Sequence, residues 1–201
     1  MMFKHFLTSA NEGNAFILAC DESREAILVD VGEFEPEIVA FVETESLNLS
    51  KIFITHDHYD HSGGLQEAMD RFGAAVYAGS AHPGGCQATR TAHGDIIEIG
   101  SLIGKVIATP GHTPDMLCLA FPEMVFTGDA LFAGSVGGTS SPGAAKTQLD
   151  AIRKHLFSLP PETEIHPGHG PSSTVAIESQ YNPFLSDSAQ YLPNGAHFER
   201  L

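Results

Sequence analysis

The chain has 201 residues, 42% hydrophobic and 17% charged, the composition of a folded soluble protein and not of a disordered one. With 25 Asp and Glu against 10 Lys and Arg, its formal net charge of -15 at pH 7 repels phosphate backbones and anionic membranes, so neither nucleic acid nor a membrane is an expected partner. The length suffices for a large core, and one domain over residues 1–201 is the expectation.

The opening segment, "MMFKHFLTSANEG", carries one Lys and a short apolar patch broken by Thr8, Ser9 and Asn11, the pattern of neither a secretory signal nor a membrane span. The cysteines Cys20, Cys86 and Cys118 are too scattered for a disulfide framework or a CxxC metal site, and a reducing, cytoplasmic location follows as the expectation. "NAFILAC" (14–20) and "EAILVD" (25–30) read as paired strands. "FEPEIVAFVETESL" has apolar residues near helical spacing after Pro36, and "KIFI" (51–54) is a buried strand. After "THDHYDHSGG", the run "GLQEAMDRFG" repeats apolar residues every 3.6 positions and stops at Gly73. "AVYA", "GKVIATP", "MLCLAF" and "MVFTGD" are further strands, separated by Gly and Pro turns. "FAGSVGGTSSPGAA" (132–145) is expected as a loop beside the site, followed by a helix with Leu149, Ile152, Leu156 and Leu159 on one face. A strand in "TEIHPGHG" and a helix in "SSTVAIESQYN" complete a layered α/β chain.

Residues 55–61 concentrate metal-binding chemistry. His56 and His58 are two apart, so in an extended segment their rings share one side, while Asp60 and His61 continue towards the helix. Imidazole nitrogen with carboxylate oxygen suits zinc, iron or manganese rather than calcium or magnesium. Asp57 and Tyr59 alternate with these residues and are expected to point away. Three more stretches place a metal-capable side chain just beyond an apolar strand: "TPGHTP" with His112, "VFTGDA" with Asp129, and "IHPGHG" with His166 and His169. His5, His82, His93, His155 and His197 lack a metal-spaced neighbour and read as solvated or structurally bonded rings. Cys86 sits in a Gly-rich polar stretch expected to be a partly exposed loop, and no motif pairs it with a base.

In the order "VDVG", "THDHYDH", "TPGHTP", "FTGDALFAGSVG", "HPGHG" and "ESQYNPFL", the chain resembles the metallo-β-lactamase superfamily, and within it the glyoxalase II-like hydrolases. The resemblance implies an αββα sandwich with the metal loops along one edge, and no C-terminal helical domain of the kind full-length glyoxalase II carries. It implies two divalent ions, zinc first, with iron or manganese as alternatives. His56, His58 and His112 would hold one, Asp60, His61 and His169 the other, and Asp129 would bridge them. Asp30 in "VDVG" matches the carboxylate that orients a ligand histidine, although a strand-end turn former is an equal reading from the residues alone.

The implied activity is a dinuclear hydrolase in which activated hydroxide cleaves a small thioester of the S-lactoylglutathione type, Asp60 and Asp129 assisting proton transfer. Two alternatives share the motifs: a mononuclear iron persulfide dioxygenase using His56, His112 and Asp129, and a lactone or other ester hydrolase. Lactonases of the superfamily usually place a Tyr soon after the bridging Asp, where this chain has Ala130, Leu131 and Phe132. Glyoxalase II-like proteins usually follow "SVG" with a basic residue that holds glutathione, where this chain has Gly138, Thr139 and Ser140, so the loop around Gly138 is the candidate substrate contact. Asp115 also stands where a small residue is more usual.

Overall fold

The computed structural model describes residues 1–185, and His197 lies outside them. The first sheet contains β1 (Met2–Leu7), β2 (Asn14–Ala19), β3 (Glu25–Val29), β4 (Asn48–Ile54), β5 (Ala75–Ala78) and β6 (Thr89–Arg90), adjacent in that order. β1 to β3 pair antiparallel, and β3 to β6 pair parallel. Parallel neighbours need crossovers, supplied by α1 (Pro36–Thr44) before β4, and by α2 (Tyr59–Ser62) and α3 (Leu65–Phe72) before β5. The second sheet holds the antiparallel run β7 (Ile96–Ile99), β8 (Leu102–Ala108), β9 (Leu117–Ala120) and β10 (Met124–Gly128). A short ribbon, β11 (Leu131–Phe132) with β12 (Ser135–Val136), then leads to α4 (Pro142–Ala151). β13 (Glu164–Pro167) returns parallel to β10, β14 (Ser173–Thr174) closes that edge, and α5 (Val175–Tyr181) follows.

The central strands are buried on both faces, and the side chains of each alternate between two of three separate cores. In β2, Ala15, Ile17 and Ala19 meet α1 and α3, while Phe16 and Leu18 enter the layer between the sheets. In β4 the same division falls between Ile52 with Ile54 and Phe53. Ile107, Cys118, Val125 and Ile165 turn to the far side of the second sheet, where Ile152, Leu156 and Val175 cover them. The result is helix, sheet, sheet, helix, the αββα sandwich expected from the sequence. Continuous apolar runs such as "FILA" are the signature of strands covered on both sides.

Four details differ from the sequence reading. β1 was hidden in the opening segment because it is an edge strand with most residues solvent-facing, so its hydrophobic signal is weak. β7 is likewise an edge strand that alternates exposed and buried residues. The helix in 142–159 is not one regular helix: α4 ends at Ala151, and Ile152–Leu156 form a π-helical turn closed by the Phe157 N–H donating to the Ile152 carbonyl at 3.1 Å. Cys86 also departs from expectation, being buried with its thiol beside Gln66. Among the described residues, no helix is long and apolar enough to cross a membrane.

Phe126 anchors the inter-sheet layer, fully buried with ring contacts to Phe16, Phe121 and His166. Its replacement in Phe126→Ala leaves a cavity between two rigid sheets and should cost about 3–5 kcal/mol. Urea unfolding should show a lower midpoint at nearly constant slope; a loss below about 1 kcal/mol would mean that the layer collapses to refill the space.

Candidate metal centre

Every candidate ligand lies just past the C-terminal end of a strand or in the turn that follows, all along one edge of the sandwich. β3 delivers Asp30, β4 delivers His56 and His58, α2 carries Asp60 and His61, β8 leads to His112, β10 ends at Asp129, and β13 runs into His169. The two sheets are joined there by the Leu117 N–H, which donates to the Thr55 carbonyl at 2.8 Å.

Three imidazole nitrogens converge on one side. His58 Nδ1 lies 3.0 Å from His56 Nε2 and 3.0 Å from His112 Nε2. On the other side, His169 Nε2 is 3.4 Å from Asp60 Oδ2, and His61 completes that group. Asp129 stands between: its Oδ2 is 3.5 Å from His112 Nε2, and its Oδ1 is 3.3 Å from His61 Nε2 and 3.8 Å from His169 Nε2. All seven residues proposed from the sequence are therefore brought together, as two triads sharing one carboxylate.

The donor set fits divalent cations. His61 Nε2 and Asp129 Oδ1 are buried with no hydrogen-bond partner, a costly arrangement unless a cation takes up both lone pairs. Burial holds His56 down to about 2, with His61 and His112 adding to the effect, so this ring stays neutral, the form that binds a metal. Burial, and then His112, also depress His58. At His61 burial opposes the charge, but Asp30 and Asp129 outweigh it and raise the imidazole to about 10. For Asp129, burial works against ionisation and the surrounding imidazoles overcome it, holding the carboxyl below its ordinary range. The two carboxylates that draw a proton onto His61 would equally draw a metal ion.

Asp30 sits behind this cluster. It takes a left-handed backbone conformation with φ of 56°, which an Asp tolerates better than most residues, and its carboxylate accepts from the Thr55 N–H and hydroxyl, each at 2.8 Å. The remaining contact, 2.9 Å to His61 Nδ1, fixes that ring with Nε2 facing Asp129. His112 is oriented similarly, its Nδ1 donating to the Gly138 carbonyl at 2.7 Å, so the 132–145 segment lies beside the site, although it is a loop only over 137–141, between the β11–β12 ribbon and α4. Asp57 turns away to the Gly84 N–H at 2.7 Å, and Tyr59 is 71% exposed. His166 belongs to the inter-sheet layer, with its ring 4.6 Å from Phe3 and its Nδ1 2.9 Å from Ser172.

Three polar residues escaped the sequence reading. Asn11 donates to Asp60 Oδ2 at 2.8 Å. Buried Asn14 donates to the carbonyls of Pro167 and Gly170, both at 2.9 Å, and so clamps the loop bearing His169. Buried Gln148 of α4 donates to the carbonyls of Ala130 at 3.1 Å and Gly137 at 3.0 Å, tying the Asp129 turn to the Gly138 loop. An Asn opening an apolar strand was a usable signal; nothing local marks Gln148. Two glycines are sterically required, since a Cβ at Gly137 would strike the Asp129 carbonyl and one at Gly168 would strike the Asp129 carboxylate.

Residues 9–84 and 88–175 match the metallo-beta-lactamase superfamily model, and the chain belongs to that superfamily, whose members bind divalent metals; it is a metal-dependent hydrolase. It is 36% identical over 163 residues to a hydroxyacylglutathione hydrolase of Cereibacter sphaeroides, covering 79% of this chain but only 63% of that one. It is 28% identical over 196 residues to the hydroxyacylglutathione hydrolase GloC of Haemophilus influenzae, covering 86% and 92%. Among solved structures, ETHE1 from Myxococcus xanthus superposes with a TM-score of 0.83 at 31% identity, covering 91% of this chain and 84% of that one.

If Asp30 orients His61, Asp30→Asn should lower metal affinity about 10–100-fold while the fold persists. Competition with a chromophoric chelator measures this directly, and unchanged affinity in a folded variant would reduce Asp30 to a turn former.

Proposed function

We propose that the chain hydrolyses a small thioester at a two-metal centre that His56, His58 and His112 would hold on one side and Asp60, His61 and His169 on the other, with Asp129 shared between them. The observation that carries this reading is the split carboxylate of Asp129, whose two oxygens face different triads. When bound, such a pair of ions lowers the pKa of water from 15.7 towards about 7 and polarises the carbonyl under attack.

The protein's own residues supply position and proton handling. Asp30 and the Gly138 carbonyl hold His61 and His112 so that their Nε2 atoms meet Asp129. Asn11 fixes Asp60 through Oδ2, and both Asp60 and Asp129 offer carboxylate oxygens that can accept the proton given up by water. A general acid is not required for a thioester, because a thiolate with pKa near about 8.5 departs without one. That chemistry favours a thioester over a lactone or amide, as does Ala130-Leu131-Phe132 in place of a nearby Tyr. The two relatives named hydroxyacylglutathione hydrolase support the same substrate class. Buried, unpaired cysteines accord with a reducing cytoplasm.

A second reading rests on the approach of His112 to Asp129, 3.5 Å, which makes His56, His112 and Asp129 a compact two-His-one-carboxylate set suited to a single iron and oxygen chemistry. Metal analysis of anaerobically prepared protein, paired with S-lactoylglutathione hydrolysis and oxygen uptake on glutathione persulfide, separates the two. Two ions with thioester cleavage are expected; one iron with oxygen uptake would replace the hydrolase reading.

Recognition of the carrier is separately testable. A Cβ at Gly138 would meet no atom within 4 Å, so Gly138→Arg starts into open space and would restore a charge-assisted contact to a carboxylate worth about 1.5–3 kcal/mol. KM for S-lactoylglutathione should fall about tenfold or more at constant kcat; an unchanged KM would mean that the carrier binds elsewhere.

A further inference from the structure

Two histidines without a metal-spaced neighbour in the sequence meet in space. His93, before β7, and His155, in the π-helical turn, have ring centroids 4.5 Å apart. Both line a trough of about 310 Å³ on the outward face of the second sheet, with Lys105 of β8 beside them and Ile103 and Pro122 along its walls. It shares no residue with the metal centre.

The trough is a local inversion of the protein's charge. Among the described residues no Asp or Glu lines it, although the net charge is -15. Glu98 is the acid on the adjoining strand, opposite Ile103. Burial holds His155 below its ordinary range, and His93, Lys154 and Lys105 add repulsion, which an anion among them would relieve. The Ala108 N–H donates to His93 Nδ1 at 3.3 Å, which leaves the proton on Nε2 as a donor. The π-turn carries His155: the extra residue it inserts shifts the helical face, and such distortions are frequent at functional sites.

We propose that this trough is an anion site that takes a phosphate group, free or carried on a small organic ligand. Two imidazole N–H groups and a flexible ammonium are separate point donors that can surround a tetrahedral oxyanion, whereas among the described residues no planar Arg fork lines the trough to pair a carboxylate edge to edge. The volume is at the low end for small-molecule pockets, and the Pro122 and Ile103 wall would take an apolar arm.

Inorganic phosphate, phenyl phosphate and, as a carboxylate control, benzoate are titrated at constant ionic strength into zinc-loaded protein, with the histidine ring resonances followed by NMR. Saturable shifts of His93 and His155 are expected with both phosphates and weaker ones with benzoate. His155→Gln should abolish saturation, and Lys105→Met, a change at an exposed side chain, should weaken binding tenfold or more. Thioester turnover should be unchanged in both variants. Shifts that never saturate, that survive both substitutions, that are as strong with benzoate, or that appear only at the metal-centre histidines would each overturn the assignment.

Discussion

A carboxylate at the end of a buried strand has one oxygen that no protein donor reaches, and the site is organised around it. Asp129 is 8% exposed, and its Oδ1 faces the equally unpartnered Nε2 of a fully buried His61. Burying polar atoms without a hydrogen-bond partner costs free energy, so a fold retains such a group only if something offsets it. Imidazoles approach both oxygens from opposite sides, and Asp30 behind His61 adds a second negative charge. The local field calls for cations. Much of the formal excess of acid on this chain is dispersed over its surface, but these carboxylates are concentrated where strands end.

The sandwich makes that concentration possible. Strands covered on both faces hold their backbones rigid, so the residues just beyond their ends are displayed at fixed positions while the loops stay short. Residues outside the ligand set then lock the loops to one another: Asn14 holds the His169 turn to β2, Gln148 holds the Asp129 and Gly138 turns to α4, and Asn11 reaches Asp60 from the β1–β2 loop. Close backbone packing at Gly137 and Gly168 leaves no room for a side chain against Asp129. A small displacement of any loop would separate nitrogen atoms now 3.0 Å apart, which is why positioning residues matter as much as the groups they position.

Much of this was legible beforehand because it was written in strong local signals. Apolar runs fully buried in two cores gave the central strands, and the spacing of His56, His58, Asp60 and His61 marked the first loop. Weak signals failed in proportion: β1 and β7 are edge strands with half-exposed faces, and a π-helical turn has the same composition as an α-helix. Gln148 could not be found, since its partners are backbone carbonyls far along the chain. The pairing of His93 with His155 was invisible for the same reason, being made by tertiary packing rather than spacing.

Anomalous diffraction from crystals grown with the bound metal tests the central claim most directly. Two peaks about 3.5–4 Å apart are predicted, one against His56, His58 and His112, the other against Asp60, His61 and His169, with the Asp129 carboxylate spanning them. A single peak, or peaks that leave Asp129 without a metal contact, would contradict the account.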